Sequence, residues 1–259
     1  MKTVAVVSAK GGVGKTTLCA NLSAALGRQG HPVLAVDLDP QNALRFHLGL
    51  GVGSDTSLGI AEATLRGLDW REVCLHGPPG VSVAPYGTTS EDSRELFERW
   101  LAQDPAAVGT QLRRMALPDD TIVMLDTPPG ASGYMRQALT CADLVVVVSL
   151  ADAASYATLP AMHKLIHTYC GSTPGFVGYA YVINQVDRAK QLSSDVTELM
   201  RADLGDRVAG IVHQDQSIAE ALAFNRNVLD YDQHCRGTHD ILDTARAIAS
   251  RLSPSRAAS

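Results

Sequence analysis

The residues best suited to chemistry form one run near the N-terminus of the 259-residue chain. Its members are Lys10, Gly11, Gly12, Val13, Gly14, Lys15, Thr16 and Thr17. Three glycines in four positions let the backbone curl with its N–H groups inward, since a Cβ would block both the dihedrals and a close approach. A Lys-Thr pair after such a loop can reach the β- and γ-phosphates of a nucleotide and ligate Mg²⁺. The run therefore predicts a phosphate-binding loop.

The flanking segments must position this loop. Residues 3–7 are apolar and β-branched, which predicts a buried parallel strand, and residues 18–26 are apolar at helical spacing. The N-terminus of that helix would turn its partial positive charge toward a bound anion. Position 9 departs from the general motif, because Ala9 stands where the motif begins with glycine, and a second lysine, Lys10, follows it. A lysine in a turn is by itself more often a solvated charge.

Acidic residues follow two other apolar segments. Asp37 and Asp39 come after residues 33–36, and Asp126 ends the apolar run 121–125. Ligands of open α/β sheets bind at the carboxyl ends of the strands, so these side chains are expected beside the phosphate loop. One aspartate after a strand is commonly a helix cap, but two beside such a loop are better interpreted as magnesium-binding and water-positioning groups. Asp126 lies where an acid holds Mg²⁺ directly or through water.

Polar residues also end the later strands. Asn184 follows the apolar segment 177–183, and its amide can pair with the edge of adenine as both donor and acceptor. An asparagine after a strand is otherwise a common turn residue. His213 and Gln214 follow the apolar segment 208–212 and are candidates for base contacts. His213 is not expected to be catalytic.

Composition excludes several classes of protein. The net charge is −5, with 11 basic and 14 acidic side chains in residues 1–130 and 11 and 13 in residues 131–259. This even distribution does not suggest strong non-specific binding to nucleic acid, although a folded basic patch stays possible. Five widely spaced cysteines without a Cys-x-x-Cys pair indicate a reducing compartment rather than a disulfide framework or zinc site. No signal peptide is visible and the longest apolar run, 144–151, is too short to span a membrane, so we expect a cytoplasmic protein.

Alternating apolar segments predict the fold. About seven strands alternate with helices, which is typical of an α/β, single-domain, doubly wound and mainly parallel sheet. We expect this domain to cover residues 1–252, with 253–259 as a short tail. Residues 51–57 are predicted to form a loop, 57–68 a helix, and 155–169 one continuous helix. Residues 51–120 are otherwise the least informative part of the sequence.

Three blocks of sequence resemble the ParA/MinD family of P-loop ATPases. The run at 10–17 looks like the deviant Walker A motif of that family, and residues 33–41 and 122–130 agree with two further family blocks. The longer string at 37–49, DLDPQNALRFHLG, is similar to the ParA-like ATPases encoded with bacterial cellulose synthase. The family resemblance covers nearly the whole chain, whereas the subfamily resemblance depends mainly on this string and on the short tail.

The resemblance implies ATP and Mg²⁺ as cofactors and a slow, switch-like hydrolysis of ATP. It implies catalytic roles for Lys15 at the phosphates, for Lys10 acting across an ATP-sandwich homodimer, and for Asp39 in orienting the attacking water. The implied magnesium shell consists of Thr16, Asp37, Asp39 and Asp126. The family also places a base-contacting asparagine at Asn184. Relatives often have Asn-Lys-x-Asp here, so Gln185 leaves any stacking by a lysine stem in doubt.

Two roles stay open at this stage. The first is an ATPase that supports assembly or polar localisation of the cellulose synthase secretion complex, with protein partners from that complex. The alternative is a ParA-type DNA- or plasmid-partitioning ATPase, or a MinD-like positioning ATPase. Arg226, Arg236, Arg246 and Arg251 are spaced among acids, which does not favour DNA binding. MinD-type relatives add a basic amphipathic helix after the last domain helix, and its absence makes a direct membrane anchor unexpected. A nucleotide-binding scaffold without hydrolysis is disfavoured by Lys10, Lys15, Asp39 and Asp126.

Overall fold

A computed structural model describes residues 1–51 and 57–253 of the chain. Its centre is an eight-stranded sheet with the strand order β3-β4-β2-β5-β1-β6-β7-β8. Only the pair of β3 and β4 is antiparallel among the described pairings. The strands are β1 Lys2–Val7, β2 Val33–Asp37, β3 Leu75–His76, β4 Val81–Ala84, β5 Ile122–Asp126, β6 Leu144–Leu150, β7 Gly178–Val186 and β8 Val208–His213.

Helices cover both faces of the sheet. In chain order they are α1 Lys15–Arg28, α2 Leu44–His47, α3 Ile60–Leu65, α4 Glu91–Gln103, α5 Ala107–Arg114, α6 Gly133–Cys141, α7 Ala153–Tyr156, α8 Leu159–Cys170, α9 Gln191–Leu204, α10 Gln216–Ala223, α11 Val228–Tyr231 and α12 Arg236–Leu252. Two short 3-10 turns span Trp70–Val73 and Gly205–Arg207.

A hydrophobic core lies on each face of the sheet, because successive side chains of a strand alternate between the two faces. In β1, Val4 and Val6 pack with α1 and α12, whereas Ala5 and Val7 belong to the core with α4, α6, α8 and α9. Successive side chains of a strand point to opposite faces, so a strand buried on both faces reads as a continuous apolar run. The prediction of a doubly wound, mainly parallel sheet is confirmed.

Some local predictions were wrong. The sheet has eight strands rather than about seven, because the two-residue β3 is too short to produce a sequence pattern. The single helix predicted over 155–169 is two helices, α7 and α8, and α8 has Pro160 in its first turn. Proline suits the start of a helix and breaks its interior.

The segment between β2 and α3 also differs from its prediction. The helix predicted over 57–68 is reduced to α3, whose N-cap Gly59 is extended. A Cβ at Gly59 would lie 2.3 Å from the backbone nitrogen of Gly87, so this close approach of two chain segments requires glycine. Of the loop predicted at 51–57, residues 52–56 lie outside the described residues, as do residues 254–259 of the predicted tail. Among the described residues, no helix is long and apolar enough to cross a membrane.

One buried amide connects α4, α5 and α6. Gln137 in α6 is fully buried. Its Oε1 accepts from the backbone N–H of Val108 at 3.1 Å, and its Nε2 donates to the carbonyl of Leu101 at 2.7 Å. Without the amide, the N–H of Val108 would lose this partner and the carbonyl of Leu101 would keep only the 3.5 Å contact from Arg136. An unsatisfied buried polar group costs about 1–3 kcal/mol.

We therefore predict that Gln137→Met lowers the free energy of unfolding by about 2–4 kcal/mol, because it fills the space but leaves backbone groups unpaired. Urea unfolding followed by circular dichroism measures the change. Gln191→Met is the matched control, since the Gln191 amide is exposed and its side chain bonds only Asp195 among the described contacts. An equal loss in both variants would show that the buried amide contributes nothing specific.

Candidate nucleotide-binding site

The phosphate loop joins β1 to α1 in the predicted context. Gly12 and Gly14 have φ values of 76° and 81°, a region that other residues adopt only with strain. Gly14 is the N-cap of α1 and supplies no side-chain cap. The first N–H groups of this 14-residue helix therefore have no side-chain acceptor at the cap, which is the arrangement that binds phosphate.

A buried ion pair lies beneath the loop. The ammonium Nζ of Lys15 is 2.7 Å from Oδ1 of Asp126, and the two side chains are 6% and 0% exposed. Burial raises the pKa of Asp126 above its ordinary value, while the charge of Lys15 and the nearby hydroxyl of Thr16 act in the opposite direction. The sequence prediction that these residues meet is thus matched by direct contact between the loop lysine and the end of β5.

A second carboxylate lies beside this pair. Asp37 and Asp126 are register partners at the ends of β2 and β5. Asp37 is fully buried, with Oδ1 accepting from the N–H of Asp39 at 2.9 Å and Oδ2 from that of Leu44 at 3.0 Å. Burial raises the pKa of Asp37 well above its ordinary value, the charge of Asp126 adds to this, and the two backbone hydrogen bonds oppose it. Two carboxylates and one ammonium leave the buried cluster short of positive charge when both acids are ionised.

The oxygen donors at this edge fit a magnesium ion better than a softer metal. Oδ2 of Asp126 is buried and has no hydrogen-bond partner among the described residues. Carboxylate and hydroxyl oxygens are ligands that Mg²⁺ prefers, and it usually takes only one or two carboxylates together with phosphate and water. Consistent with that, the described residues contain no group of three His, Cys, Asp or Glu that could hold a metal by themselves. Asp126 and the half-exposed Thr16 are the residues that could hold such an ion.

Asp39 lies at the mouth of this buried cluster. Its side chain is half-exposed, and its Oδ1 accepts from the N–H of Gln41 at 3.0 Å. Unlike Asp37 it can contact solvent. It therefore fits a water-orienting role better than a place in the buried charge cluster.

The second lysine of the loop has a different environment. Nζ of Lys10 is 3.7 Å from Oδ1 of Asp152, and both side chains are more than a third exposed. Asp152 follows β6 and caps α7 by accepting from the N–H of Ser155. Sequence reasoning missed Asp152, although it is, like Asp37 and Asp126, an aspartate at the end of an apolar run. The pair holds Lys10 against its own chain.

The loop after β5 closes on the phosphate loop. The N–H of Gly130 donates to the carbonyl of Ser8 at 3.0 Å, and the Ser8 hydroxyl donates to the carbonyl of Lys10 at 2.9 Å. A Cβ added at Gly11 would lie 3.7 Å from Cγ of Pro129. An N–H that could reach a γ-phosphate is thus used within the protein in this structure.

Asn184 contacts the phosphate loop directly. Its Nδ2 donates to the carbonyl of Val13 at 2.8 Å. A Cβ added at Gly14 would lie 2.5 Å from the same nitrogen and 3.4 Å from Nε2 of Gln185. Asn184 therefore holds the loop through its Nδ2, and its Oδ1 takes no part in this hydrogen bond. Its assignment as a base contact stays a prediction.

His213 is turned toward other side chains. Its Nδ1 is 2.8 Å from Oδ2 of Asp240, and its Nε2 accepts from Arg188 at 3.2 Å and Arg236 at 3.1 Å. Both ring nitrogens are therefore engaged, and the ring as it lies here has no free group for a base edge. Gln214 is exposed, and its N–H donates to the carbonyl of Val186 at 3.0 Å. Base contacts by either residue stay predictions.

The fold and the site together define a P-loop nucleotide-binding protein of the ParA/MinD type. A sequence model of the family described as cellulose biosynthesis protein BcsQ matches residues 1–248. The chain belongs to this family.

Individual relatives agree with the ParA/MinD type and with the BcsQ family. A cellulose biosynthesis protein BcsQ of Salmonella typhimurium is 26% identical over 237 residues, covering 91% of this chain and 89% of the relative. A chromosome partitioning protein ParA of Caulobacter vibrioides is 29% identical over 268 residues, covering 97% and 95%. Sequence identity at this level does not separate the two roles.

Solved structures match the fold over the whole chain. The septum site-determining protein MinD of Pyrococcus horikoshii, complexed with Mg-ADP, has a TM-score of 0.78 at 19% identity and covers 97% of this chain and 98% of its own. A plasmid partition protein of Borrelia burgdorferi bound to AMPPNP has a TM-score of 0.77 at 18% identity, covering 96% and 99%. These likenesses show the fold.

We predict that Gly14→Ala weakens binding of ATP by at least about tenfold, since the added methyl group meets the Asn184 amide in a backbone region closed to alanine. Fluorescence titration with a labelled ATP analogue measures the affinity. Gly133→Ala in α6 is the control, because nothing lies within 4 Å of its added Cβ and its affinity should not change. Unchanged binding by Gly14→Ala would contradict the placement of nucleotide at this loop.

We also predict that Lys15→Met destabilises the nucleotide-free protein by about 3–5 kcal/mol near pH 8, because it leaves Asp126 as a buried charge without a partner. Lys10→Met should cost no more than about 1 kcal/mol, since its ion pair is partly exposed. Denaturant unfolding of both variants measures the difference.

The pH dependence of Lys15→Met follows from the same contact. Without Lys15, the pKa of Asp126 in the folded protein rises further above its unfolded value of about 3.9. The unfolded state titrates alike in both proteins, but the folded variant keeps a proton that folded wild type releases. The deficit relative to wild type therefore grows as pH rises through the already raised pKa that Asp126 has in folded wild type, and it shrinks below that pKa. A deficit independent of pH would exclude Asp126 as its origin.

Proposed function

We propose that the protein is a Mg-ATP-dependent switch ATPase that hydrolyses ATP to ADP and phosphate and dimerises when ATP is bound. The observation that carries this proposal is the buried contact between Lys15 and Asp126 at a helix N-terminus without a side-chain cap. One oxygen of this carboxylate has no hydrogen-bond partner among the residues that the structure describes. A cation and a phosphate would complete these groups. None of the residues here is a nucleophile with an adjacent base, so catalysis would consist of positioning and charge neutralisation, as is usual in phosphoryl transfer.

The geometry supports a distinct role for each charged residue. Lys15 would contact the β- and γ-phosphates, and Thr16 and Asp126 would hold Mg²⁺, which supplies charge neutralisation at those phosphates. Asp39, half-exposed at the mouth, would orient the attacking water. Asp37 would support the magnesium shell indirectly, because both of its oxygens accept backbone N–H groups and one of these belongs to Asp39.

Lys10 would act across the dimer. Its pair with Asp152 is long and partly exposed, so its release costs little. In a two-fold dimer the lysine of one subunit would neutralise charge developing at the phosphates bound by the other. Turnover would be slow, since it would require the assembled dimer.

The cellular role we propose is support of the assembly or polar localisation of the cellulose synthase secretion complex. The match of residues 1–248 to the BcsQ family supports it. The protein would act in the cytoplasm and reach the inner membrane or cell pole through partners of that complex.

The alternative is a ParA-type partitioning ATPase that binds DNA, or a MinD-like positioning ATPase. The ParA relatives favour the DNA-binding role, but three of the late arginines contact other groups of the chain. The guanidinium groups of Arg236, Arg246 and Arg251 contact, in that order, His213, Asp243 and the carbonyl of Asp206. Phosphate contacts would have to compete with these partners.

The decisive measurement is the light-scattering mass with Mg²⁺ and ATP. We expect wild type to become a dimer, and Lys10→Ala to stay a monomer while binding ATP with unchanged affinity. Lys2→Ala is the matched control, because Lys2 also pairs with an aspartate, Asp143, but lies at the opposite end of β1. It should dimerise like wild type. If wild type remains a monomer with ATP bound, Lys10 does not act on the phosphates of a second subunit, and that part of the proposal is wrong.

The same ATP-loaded sample separates the two cellular roles. Duplex DNA added at physiological salt should leave the scattering mass unchanged if the protein serves the cellulose complex. A ParA-type role predicts non-specific binding with a dissociation constant of about 1–100 μM that weakens as salt rises.

A further inference from the structure

The two edges of the sheet are protected very differently. At one edge the outermost strand is the two-residue β3. At the other edge lies β8, six residues long, with the sequence VAGIVH and no proline, lysine or acid. Five of its six residues are half-exposed rather than buried. Proteins usually blunt such an edge with charge, proline or brevity, because its free N–H and C=O groups pair readily with another extended chain.

A groove runs along this edge. Its volume is about 730 Å³, and its floor includes Val208, Ala209, Gly210 and Ile211 of β8. The end of α9 and the turn after it contribute Arg201, Gly205 and Asp206 to its lining, and α12 contributes Asp240, Asp243, Thr244 and Arg251. None of the groove-lining residues belongs to the candidate nucleotide-binding site, although Asp240 contacts His213.

Side chains of α12 cap the two ends of the edge. At the beginning, Nη2 of Arg251 donates to the carbonyl of Asp206 at 2.7 Å. At the end, Oδ2 of Asp240 accepts from the N–H of His213 at 2.9 Å. Within the described residues, the backbone groups of 208–212 have no partner other than the neighbouring strand β7. The open part of the edge is therefore a short segment with defined ends.

We propose that this groove binds an extended segment of a partner protein, which adds to the sheet as a ninth strand beside β8. Main-chain hydrogen bonds to residues 208–212 would hold the segment, a mode of recognition known as β-augmentation. The inference does not depend on the proposed ATPase function.

The side chains that line the groove favour a single strand over a second copy of the protein. Arg201 of α9 and Asp240, Asp243, Thr244 and Arg251 of α12 line the groove together with β8. Two copies paired edge to edge would bring both sets of these side chains together across the roughly 4.8 Å between paired strands, whereas one extended peptide brings only its own.

The charges of the lining indicate the chemistry of the segment. The beginning of the groove carries Arg201 and Arg251 against Asp206, and its end carries Asp240 and Asp243. A partner segment with an uncharged β-branched centre, an acidic residue beside the arginines and a basic residue beside Asp243 is complementary. Such rim charges set orientation and specificity more than affinity.

The probe for this proposal is a phage-displayed library of short random linear peptides, panned on the full-length protein. Selected peptides should slow hydrogen exchange of the amides in residues 208–212 by at least about tenfold, because outward N–H groups become bonded. Exchange in β1 should not change. Ile211→Lys should weaken binding by at least about tenfold, since it places a charge on the edge.

Two further variants keep the test independent of folding. Leu199→Lys makes the same type of change on the exposed face of α9 outside the groove, and should bind like wild type. Asp243→Arg, at an exposed position on the groove rim, should weaken peptides that carry a basic end. Ile211→Lys is interpreted only if its thermal midpoint stays close to that of wild type.

Several results would overturn the proposal. These are the absence of any selected peptide, equal binding to wild type and Ile211→Lys, or protection from exchange at another segment. A nucleotide-free dimer of wild type that Ile211→Lys dissociates would show that a second copy occupies the edge. Peptide binding gained only after removal of residues 254–259 would show that the chain's own end occupies it.

Discussion

The buried ion pair of Lys15 and Asp126 is the contact on which this end of the sheet depends. It joins the start of α1 to the end of β5, and the N–H of Leu38 donates to the carbonyl of Asp126, which ties β2 to the same point. Burying charge is expensive unless it is paired, so this contact holds the first residue of α1 against the end of β5. Asp37 beside it leaves a surplus of negative charge that a bound cation would relieve.

The two loop lysines lie in different surroundings. Lys15 is almost fully buried against a carboxylate that cannot reach water, so its position is determined by the fold. Lys10 is 37% exposed, and its ammonium lies 3.7 Å from the partly exposed carboxylate of Asp152. Solvent therefore competes for both charges. On our proposal this weak pairing is what would allow Lys10 to leave its own chain and enter the site of another subunit. The loop therefore combines one buried and one partly exposed cation.

The sheet separates two kinds of surface. The carboxyl ends of the parallel strands carry the phosphate loop and the aspartates, and the outer edge of β8 carries the groove. Asp240 of α12, which lines the groove, caps the end of β8 and also engages His213. A partner held along β8 would thus lie against α12, the helix whose Asp240 contacts His213. Nucleotide and partner could occupy the protein together without competing for the same residues.

Local patterns in the sequence determined the phosphate loop, the doubly wound sheet and the placement of aspartates at strand ends, because glycine spacing and apolar periodicity act over a few residues. Tertiary structure alone decided the partners. Lys15 and Asp126 are separated by 111 positions, and Asp152 became the partner of Lys10 only through the pairing of β1 with β6. The tertiary structure also places partners at both ring nitrogens of His213 and puts β8 at the open edge of the sheet. Strand order and register create these contacts between distant segments, and no local pattern encodes either.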